Sequence, residues 1–226
     1  MTDARYQKGK SGKEIALEAR ASEADRLSSP SVARNRDAIR DVFRQYMPDM
    51  GALLEVGSGT GEHAVHIAAS LPELTWFPSD PDATSRASIA AWAMYLDLAN
   101  VHAPLDLDVS AKNWFDRADI PKPLIGMMSV NMIHIAPFET AEGLFAGAKA
   151  LLQEDGRLFL YGPFLRKGRT APSNLAFDES LKSRDPRWGV RDLDCEIIPL
   201  AEAADLTLHK VVEMPANNLS VIFRKS

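Results

Sequence analysis

Short apolar runs alternate with amphipathic segments along the chain from Ala52 onward. The apolar runs have the length of buried strands, and the segments between them repeat apolar positions with the spacing of a helix face. The pattern predicts strands at 52–56, 74–77, 101–105, 124–130 and 157–162, and helices at 62–70, 84–98 and 139–152. Repeated strand–helix units indicate an α/β fold, with a parallel sheet and helices on both faces.

The N-terminal part departs from this alternation. Residues 1–30 are polar and are predicted to form a partly mobile segment, with a short helix over 14–26 that has a weak apolar stripe. A stronger helix is predicted over 34–46. We therefore expect a single domain over 31–226.

The C-terminal part begins with an irregular insertion at 163–195. A helix is predicted near 199–205. Two apolar runs at 208–214 and 219–223 follow, joined by turn-forming residues, and this arrangement predicts a hairpin.

Composition excludes several classes of function. The 226 residues are 46% hydrophobic, which is enough for one well-buried core. With 26 basic and 31 acidic residues the net charge is −5, so we expect no basic face for nucleic acid. No apolar run is long enough to span a bilayer, and the N-terminus lacks the apolar stretch of a signal peptide. The single Cys195 and the absence of a cysteine–histidine cluster indicate a cytoplasmic protein without a metal site. The oligomeric state stays open.

The segment 53–61 is an apolar run that leads into glycines at alternate positions, Gly57, Gly59 and Gly61. Glycine is needed where the backbone takes a positive φ or where a ligand approaches too closely for a Cβ atom. A strand-to-helix turn of this kind is typical of a site for a nucleotide-like ligand. The simpler interpretation is a turn that only joins the strand to the helix.

The spacing of the glycines narrows the choice of ligand. The dinucleotide pattern G-x-G-x-x-G would require glycine at position 62, which is Glu62, and a carboxylate at a helix start repels a pyrophosphate. A P-loop would need a lysine that is absent from the segment. The acid two residues before the first glycine, Glu55, suits a ligand with a positively charged amino-acid tail and no phosphate. S-adenosylmethionine has this chemistry.

The same segment resembles motif I of class I methyltransferases. The resemblance implies S-adenosylmethionine as the cofactor, with Glu55 near its methionine amino group. The expected cofactor-binding residues of this region are Glu55, Gly57, Ser58, Gly59, Thr60, Gly61 and His63.

Acidic residues follow two further predicted strands, at the edge where doubly wound folds bind ligands. We expect Asp80 to accept both ribose hydroxyls, and the alternative role is a helix N-cap, for which Asp82 competes. Asp106 and Asp108 lie on the same side of the chain, so alternation does not choose between them. Because the resemblance aligns Asp108 and Val109 with the usual acid–apolar pair, we expect these two at the adenine. A solvated loop acid is the alternative for Asp108.

Three residues at the ends of the next strands are candidates for the reaction centre. Asn131 is expected beside the sulfonium, where its amide could serve the cofactor or the substrate. His134 is expected as a general base, because the pKa of imidazole lies near neutrality. The alternative is a histidine packed under a loop and bonded to the backbone. Tyr161 is a second catalytic candidate, and the alternative is an ordinary core tyrosine.

Further motifs extend the resemblance from about Ser29 to the C-terminus. They are Asn35-Arg36-Asp37, Asn131-Met132-Ile133-His134-Ile135-Ala136-Pro137, Leu160-Tyr161-Gly162-Pro163-Phe164 and Met214-Pro215-Ala216-Asn217-Asn218-Leu219-Ser220. Together they are similar to the bacterial relatives of methyltransferase-like protein 26. The resemblance implies a Rossmann-like class I methyltransferase fold, with a seven-stranded, mostly parallel sheet that ends in an antiparallel hairpin. It implies no particular substrate.

Candidate substrate residues lie outside the cofactor motifs. Arg36 could reach an acidic substrate or the cofactor carboxylate, or it could simply solvate its helix. Asn174 and Trp188 lie in the irregular insertion, and such loops often carry specificity. The alternative is a surface lid held by Arg–Asp pairs.

The sequence therefore predicts a methyltransferase that moves a methyl group from S-adenosylmethionine to an oxygen or nitrogen of a small molecule by in-line displacement. The alternative is a non-catalytic protein that binds S-adenosylmethionine and regulates or scaffolds a partner.

Overall fold

The computed structural model describes residues 20–226. Its strands are β1 (Ala21–Glu23), β2 (Arg26–Ser28), β3 (Gly51–Val56), β4 (Leu74–Ser79), β5 (Leu124–Val130), β6 (Leu152–Pro163), β7 (Leu206–Met214) and β8 (Asn218–Lys225). Its α-helices are α1 (Pro30–Tyr46), α2 (Glu62–Ala68), α3 (Ala83–Tyr95), α4 (Phe138–Leu151), α5 (Pro172–Arg184) and α6 (Ile198–Ala203).

One central sheet contains β3 to β8 in the order β4-β3-β5-β6-β8-β7. Strands β4, β3, β5 and β6 are parallel, whereas β8 runs antiparallel to both β6 and β7. The four parallel strands end at one edge, and the β7–β8 turn lies at that same edge because Pro163 pairs with Asn218. A doubly wound fold binds its ligand at this carboxyl edge.

Apolar side chains of the sheet alternate between two cores. Leu53 and Phe159 pack in one core with residues of α1 and α2. Leu54 and Leu158 pack in the other core with residues of α4 and α6. The predicted arrangement of helices on both faces is confirmed.

The predicted strand at 101–105 is wrong. This segment pairs with β4 only through two isolated bridges, at Val101 and Leu105. Pro78 and Pro104 lie between those bridges, and neither has an N–H to donate to the ladder. The sheet therefore has six strands rather than the seven predicted.

The helix predicted over 14–26 is wrong in the part that the structure describes. There, β1 and β2 form an antiparallel hairpin around Ala24 and Asp25, whose φ angles are 46° and 67°. Left-handed angles at both turn positions are typical of a tight two-residue hairpin. Two hydrogen bonds between the backbone of Leu27 and side chains of α3 hold this hairpin, and they outweigh the weak apolar stripe that predicted a helix. Residues 14–19, and most of the segment predicted to be mobile, lie outside the described residues.

The insertion at 163–195 contains a helix that the sequence did not reveal. Helix α5 buries only Asn174 and Leu181, so it lacks the apolar stripe that predicts a helix. A π-helical turn, Leu193–Ile197, then leads into α6. The helix predicted near 199–205 is confirmed with a boundary shift.

The described helices are short. The longest of them, α1, has 17 residues. No helix between residues 20 and 226 combines the length and apolar character needed to cross a membrane. In that same part of the chain, no group of three or more histidine, cysteine, aspartate or glutamate side chains is placed to hold a metal ion.

Candidate functional site

The glycine turn connects β3 to α2 at the carboxyl edge of the sheet. Gly57, Gly59 and Gly61 have φ angles of 71°, 59° and 86°, in the left-handed region that favours glycine. A Cβ atom at Gly61 would lie 2.8 Å from Cα of Ile89. At Gly59, the only described atom within 4 Å of a Cβ would be Nη2 of Arg20, at 3.9 Å. The turn is therefore packed at Gly61 and open at Gly59.

Glu55 lies beneath this turn and is 1% exposed. Its Oε2 accepts hydrogen bonds from Ser58 Oγ at 2.9 Å and from Trp76 Nε1 at 3.0 Å. Burial raises the pKa of Glu55 to about 7, although these two hydrogen bonds act in the opposite direction. Within residues 20–226, Oε1 receives no hydrogen bond. Glu55 therefore retains an acceptor for a ligand's amino group.

Asp80 lies on the other side of the turn and is 7% exposed. Its Oδ2 accepts the N–H of Gly59 and its Oδ1 accepts the N–H of Asp82, both at 2.9 Å. Burial raises the pKa of Asp80. Asp82 is the N-cap of α3, because its carboxylate accepts the N–H of Ser85 at 2.8 Å, so the N-cap alternative for Asp80 is excluded. Each oxygen of Asp80 keeps a second lone pair, which leaves room for two ribose hydroxyls.

Ser58 and Thr60 use their hydroxyls to hold the turn. Ser58 Oγ donates to Glu55 and also accepts the N–H of Ser79 at 3.2 Å. Thr60 Oγ1 donates to Glu62 Oε2 at 3.0 Å. Both hydroxyls are therefore already engaged within the turn and its neighbours.

The structure does not join Asp108 to the glycine turn by a hydrogen bond within the described chain. Its exposed carboxylate accepts the N–H and the Oγ–H of Ser110, at 2.9 and 2.6 Å, as in the alternative of a loop acid. Val109 is buried in the core on the α4 side. Asp108 borders a surface cleft of about 400 Å³, and the adenine contact of these two residues stays a prediction.

Asp106, which alternation left open, is tied to the loop that carries Asp80. Arg86 donates to Asp106 Oδ2 at 3.0 Å and to the backbone oxygen of Asp80 at 2.9 Å. Asp106 therefore has a cationic partner and helps to connect the segment after Leu105 to the loop after β4.

Asn131 and His134 follow β5 in a short 3₁₀ turn. Asn131 has a φ of 60°, and its N–H donates to the backbone oxygen of Tyr161 at 2.7 Å. His134 is 0% exposed, and its Nδ1 accepts the backbone N–H of Arg191 at 3.2 Å. Nε2 has no hydrogen-bond partner among the described residues and faces Gly162, where a Cβ atom would collide with it.

These contacts define the chemical state of His134. Burial lowers its pKa to about 3, so the imidazole is neutral. Because Nδ1 accepts a hydrogen bond, the proton of the neutral ring is on Nε2. His134 therefore presents a donor and has no free lone pair for a general base. The geometry corresponds to the alternative of a packed histidine bonded to the backbone.

Tyr161, Asn35 and His63 form a partly buried hydrogen-bonded row across β6, α1 and α2. Asn35 Nδ2 donates to the Tyr161 hydroxyl at 3.5 Å, and Asn35 Oδ1 accepts from His63 Nε2 at 3.0 Å. Burial raises the pKa of Tyr161 and lowers the pKa of His63 to about 4, so both groups are neutral. Asn35 belongs to the Asn35-Arg36-Asp37 motif of the family resemblance, but the sequence predicts no role for its side chain.

Arg36 lies on the exposed side of α1, next to this row. Its charge contributes to lowering the pKa values of His63 and Glu62, although burial is the larger effect on both residues and raises the pKa of Glu62. Arg36 therefore borders the candidate site, and its contact with a substrate stays a prediction.

Asn174 and Trp188 are buried within the insertion. Asn174 Nδ2 donates to the backbone oxygen of Asn217 at 2.9 Å, which fastens α5 to the β7–β8 turn. Ion pairs such as Arg187–Asp185, at 2.8 Å, also hold the insertion. These contacts match the alternative of a lid held by Arg–Asp pairs, and a substrate contact of either residue stays a prediction.

Arg191 connects the insertion to the loop that carries Asn131 and His134. Its Nε donates to the backbone oxygen of Ile133 at 3.0 Å and its Nη2 to that of Ala136 at 2.8 Å. No sequence pattern distinguishes Arg191 from the neighbouring charged residues. Its role depends on contacts with a loop more than 50 residues earlier in the chain.

Solved structures share this fold. A putative O-methyltransferase from Nostoc punctiforme matches with a TM-score of 0.73 and 16% identity, over 87% of this chain and 57% of that one. An O-methyltransferase family protein from Burkholderia thailandensis matches with a TM-score of 0.72 and 15% identity, over 87% and 56%. CalO1, a methyltransferase in calicheamicin biosynthesis solved in its SAH-bound form, matches with a TM-score of 0.66 and 18% identity, over 87% and 54%.

This chain spans little more than half the length of those proteins. At such low identity the likeness concerns the fold, which is an α/β, Rossmann-like methyltransferase fold with a mostly parallel sheet and an antiparallel C-terminal hairpin. The predicted fold is confirmed apart from the number of strands.

One family model covers nearly all of the described chain. It matches residues 26–225, from the N-terminal hairpin through the glycine turn to the end of β8. The match includes the glycine turn, Asp80, the loop after β5 and the insertion. The chain therefore belongs to the family described as "Protein of unknown function (DUF938)".

Proposed function

We propose that the protein is an S-adenosylmethionine-dependent methyltransferase that acts on an oxygen or nitrogen atom of a small-molecule acceptor. The observation that carries this proposal is the glycine turn, which is open at Gly59 and lies between the buried carboxylates of Glu55 and Asp80. Similar folds include methyltransferases, one of them solved with SAH.

The two carboxylates beside the turn fit this cofactor. Asp80 would accept the ribose hydroxyls with its remaining lone pairs, and Oε1 of Glu55 would accept the amino group of the methionine part. Asp108 and Val109 would contact the adenine. When bound, the cofactor supplies an electrophilic methyl group on a sulfonium.

The acceptor would lie between the end of β5 and the end of β6. Because Asn35 donates to the Tyr161 oxygen, the Tyr161 hydroxyl keeps its own hydrogen for an acceptor molecule. His134 is fully buried and its Nε2 packs against Gly162, so it would support the loop after β5 without contacting the acceptor. Tyr161 would orient the acceptor rather than deprotonate it, which is consistent with a reaction that depends chiefly on in-line positioning.

The proposal is tested by calorimetry with S-adenosylhomocysteine, followed by incubation with isotope-labelled S-adenosylmethionine and a small-molecule extract. We expect binding and a labelled product of defined mass. The absence of binding at millimolar ligand would refute the assignment of the cofactor. Tight binding without any labelled product would favour the alternative of a non-catalytic regulatory or scaffold protein.

A pH dependence of cofactor binding follows from Glu55. Its pKa of about 7 lies above its ordinary value of 4.5, so a large fraction of this carboxyl group is protonated at pH 6.5 in the free protein. A ligand ammonium favours the ionised form, so S-adenosylhomocysteine should bind more tightly as the pH rises from 6 to 8 and should release protons near pH 6.5. Calorimetry in two buffers with different ionisation enthalpies measures that release.

Glu55→Gln is the control for this prediction, because it keeps the shape but removes the titrating group. The variant should show no proton release and a flat pH profile. Equal proton release from both proteins would contradict the placement of the ammonium at Glu55. In the free protein, the same raised pKa means that the free energy of unfolding should fall between pH 4.5 and 7, since the folded state holds its proton longer.

The relation to methyltransferase-like protein 26 belongs to this proposal as well, and four sequence motifs carry it. A single domain over 31–226 and a cytoplasmic location also remain proposals. The first has support from the continuous sheet and the second from the single Cys195.

A further inference from the structure

The N-terminal hairpin, residues 20–29, is connected to the glycine turn through Ser88 of α3. Ser88 Oγ donates to the backbone oxygen of Thr60 at 2.7 Å. Ser88 Oγ itself accepts the N–H of Leu27 at 2.8 Å. One buried hydroxyl therefore joins the hairpin to a residue of the turn.

A second connection ends at the same residue of the turn. Glu62 Oε2 accepts the N–H of Ser29 at 2.8 Å and the Thr60 hydroxyl at 3.0 Å. Thr60 is therefore linked to the hairpin through its backbone oxygen and through its side chain. These two links meet the hairpin at alternate residues, Leu27 and Ser29.

The hairpin is also anchored on the outer side of α3. Trp92 Nε1 donates to the backbone oxygen of Leu27 at 2.8 Å. The Arg26 guanidinium lies 3.6 Å from the ring centroid of Tyr95 and 5.0 Å from that of Trp92, in cation–π geometry. Arg26 is consequently buried, with 9% exposure.

The start of the hairpin lies over the open side of the turn. Nη2 of Arg20 is the described atom nearest to the position that a Cβ of Gly59 would occupy. The charge of Arg20 acts on both Asp80 and Glu62 and lowers their pKa values, against the larger effect of burial. The hairpin is therefore linked to Thr60 through Ser88 and Glu62, and its Arg20 approaches the turn at Gly59.

We infer that docking of this hairpin on α3 strengthens cofactor binding, and we call the docked hairpin the clasp. Ser88 and Glu62 are the positioning residues that couple its docking to cofactor binding. The inference rests on the proposed function. Coupling between two equilibria is reciprocal, so a docked hairpin that strengthens cofactor binding must itself be stabilised by the cofactor. A merely structural role for Ser88 would change the stability of the fold without producing this reciprocity.

The test uses the full chain and the bond after Arg26, which trypsin can reach only when the hairpin opens. Mass spectrometry follows the fragment that begins at Leu27, with and without S-adenosylhomocysteine. We expect the ligand to slow the appearance of this fragment. Calorimetry of Ser88→Ala should give roughly three- to tenfold weaker binding, the value of one hydrogen bond, together with less protection at Arg26.

Ser85→Ala is the matched control on the same helix. Ser85 is also buried, but its Oγ has no hydrogen-bond partner in the described chain, so the variant removes a hydroxyl without removing a link. Ser85→Ala should bind S-adenosylhomocysteine with the affinity of the wild type, and the ligand should protect the bond after Arg26 to the same extent. Trp92→Phe, which loosens the hairpin without touching Thr60, should weaken binding in the same direction as Ser88→Ala and is the second variant if Ser88→Ala does not fold.

Two outcomes would overturn the inference in different ways. If the wild type binds S-adenosylhomocysteine but cleavage after Arg26 is unchanged, the clasp is wrong and the proposed cofactor stands. The same holds if Ser88→Ala and Trp92→Phe both bind like Ser85→Ala. If the wild type does not bind S-adenosylhomocysteine, both the cofactor assignment and the clasp are refuted.

Discussion

Asp80→Ala should weaken the binding of S-adenosylhomocysteine by about 1–3 kcal/mol, because under the proposed function it removes a buried carboxylate that would accept two ribose hydroxyls. Asp80 is well placed for this role. Its two oxygens already hold the N–H groups of Gly59 and Asp82, so the side chain is fixed before a ligand arrives. A preorganised acceptor loses little entropy on binding. Isothermal titration calorimetry of the variant measures the effect directly.

The matched control is Asp82→Ala, which removes the neighbouring acid of the same loop. Asp82 caps α3 through Ser85, so its loss should lower the free energy of unfolding by about 1 kcal/mol and leave the affinity nearly unchanged. Denaturation of both variants separates the two effects. Equal losses of affinity would mean that the loop as a whole, and not the Asp80 carboxylate, determines binding.

The parts of the fold that were predicted correctly depend on local pattern. The apolar run before Gly57 and the turn itself are encoded within one short segment, and the structure places them as β3 and the connection to α2. The segment at 101–105 has an equally good local pattern but fails as a strand. The reason is non-local, since Pro78 on β4 faces a segment that contains its own proline, Pro104. Two isolated bridges are all that remains of that pairing.

The same difference between local and non-local signals applies to the residues of the candidate site. Glu55 lies near the end of one predicted strand and Asp80 follows the next, so both acids could be located beside the turn from their spacing alone. The state of His134 could not, because the N–H that fixes its tautomer comes from Arg191, 57 residues later in the chain. The role of Asn35 likewise depends on Tyr161, which is 126 residues away. Hydrogen bonds between distant segments leave no periodic signal in a sequence.

Gly61→Ala should lower the free energy of unfolding by about 2–5 kcal/mol. Its φ of 86° costs an L-residue about 1–2 kcal/mol. The new Cβ would also lie 2.8 Å from Cα of Ile89, and relieving such overpacking costs about 1–3 kcal/mol more. Because Ile89 presents backbone at this point, α3 itself would have to shift. Chemical denaturation of the variant and the wild type measures the loss.

Gly59→Ala isolates the backbone contribution. Gly59 also has a left-handed φ, of 59°, but the nearest described atom to its Cβ would be Arg20 Nη2 at 3.9 Å. This variant should therefore lose only the backbone part, about 1–2 kcal/mol. The difference between the two variants is the cost of the contact between the new Cβ at position 61 and Ile89. If both variants lost the same amount, the contact with Ile89 would not limit the residue at position 61, and backbone conformation alone would explain the glycines of the turn.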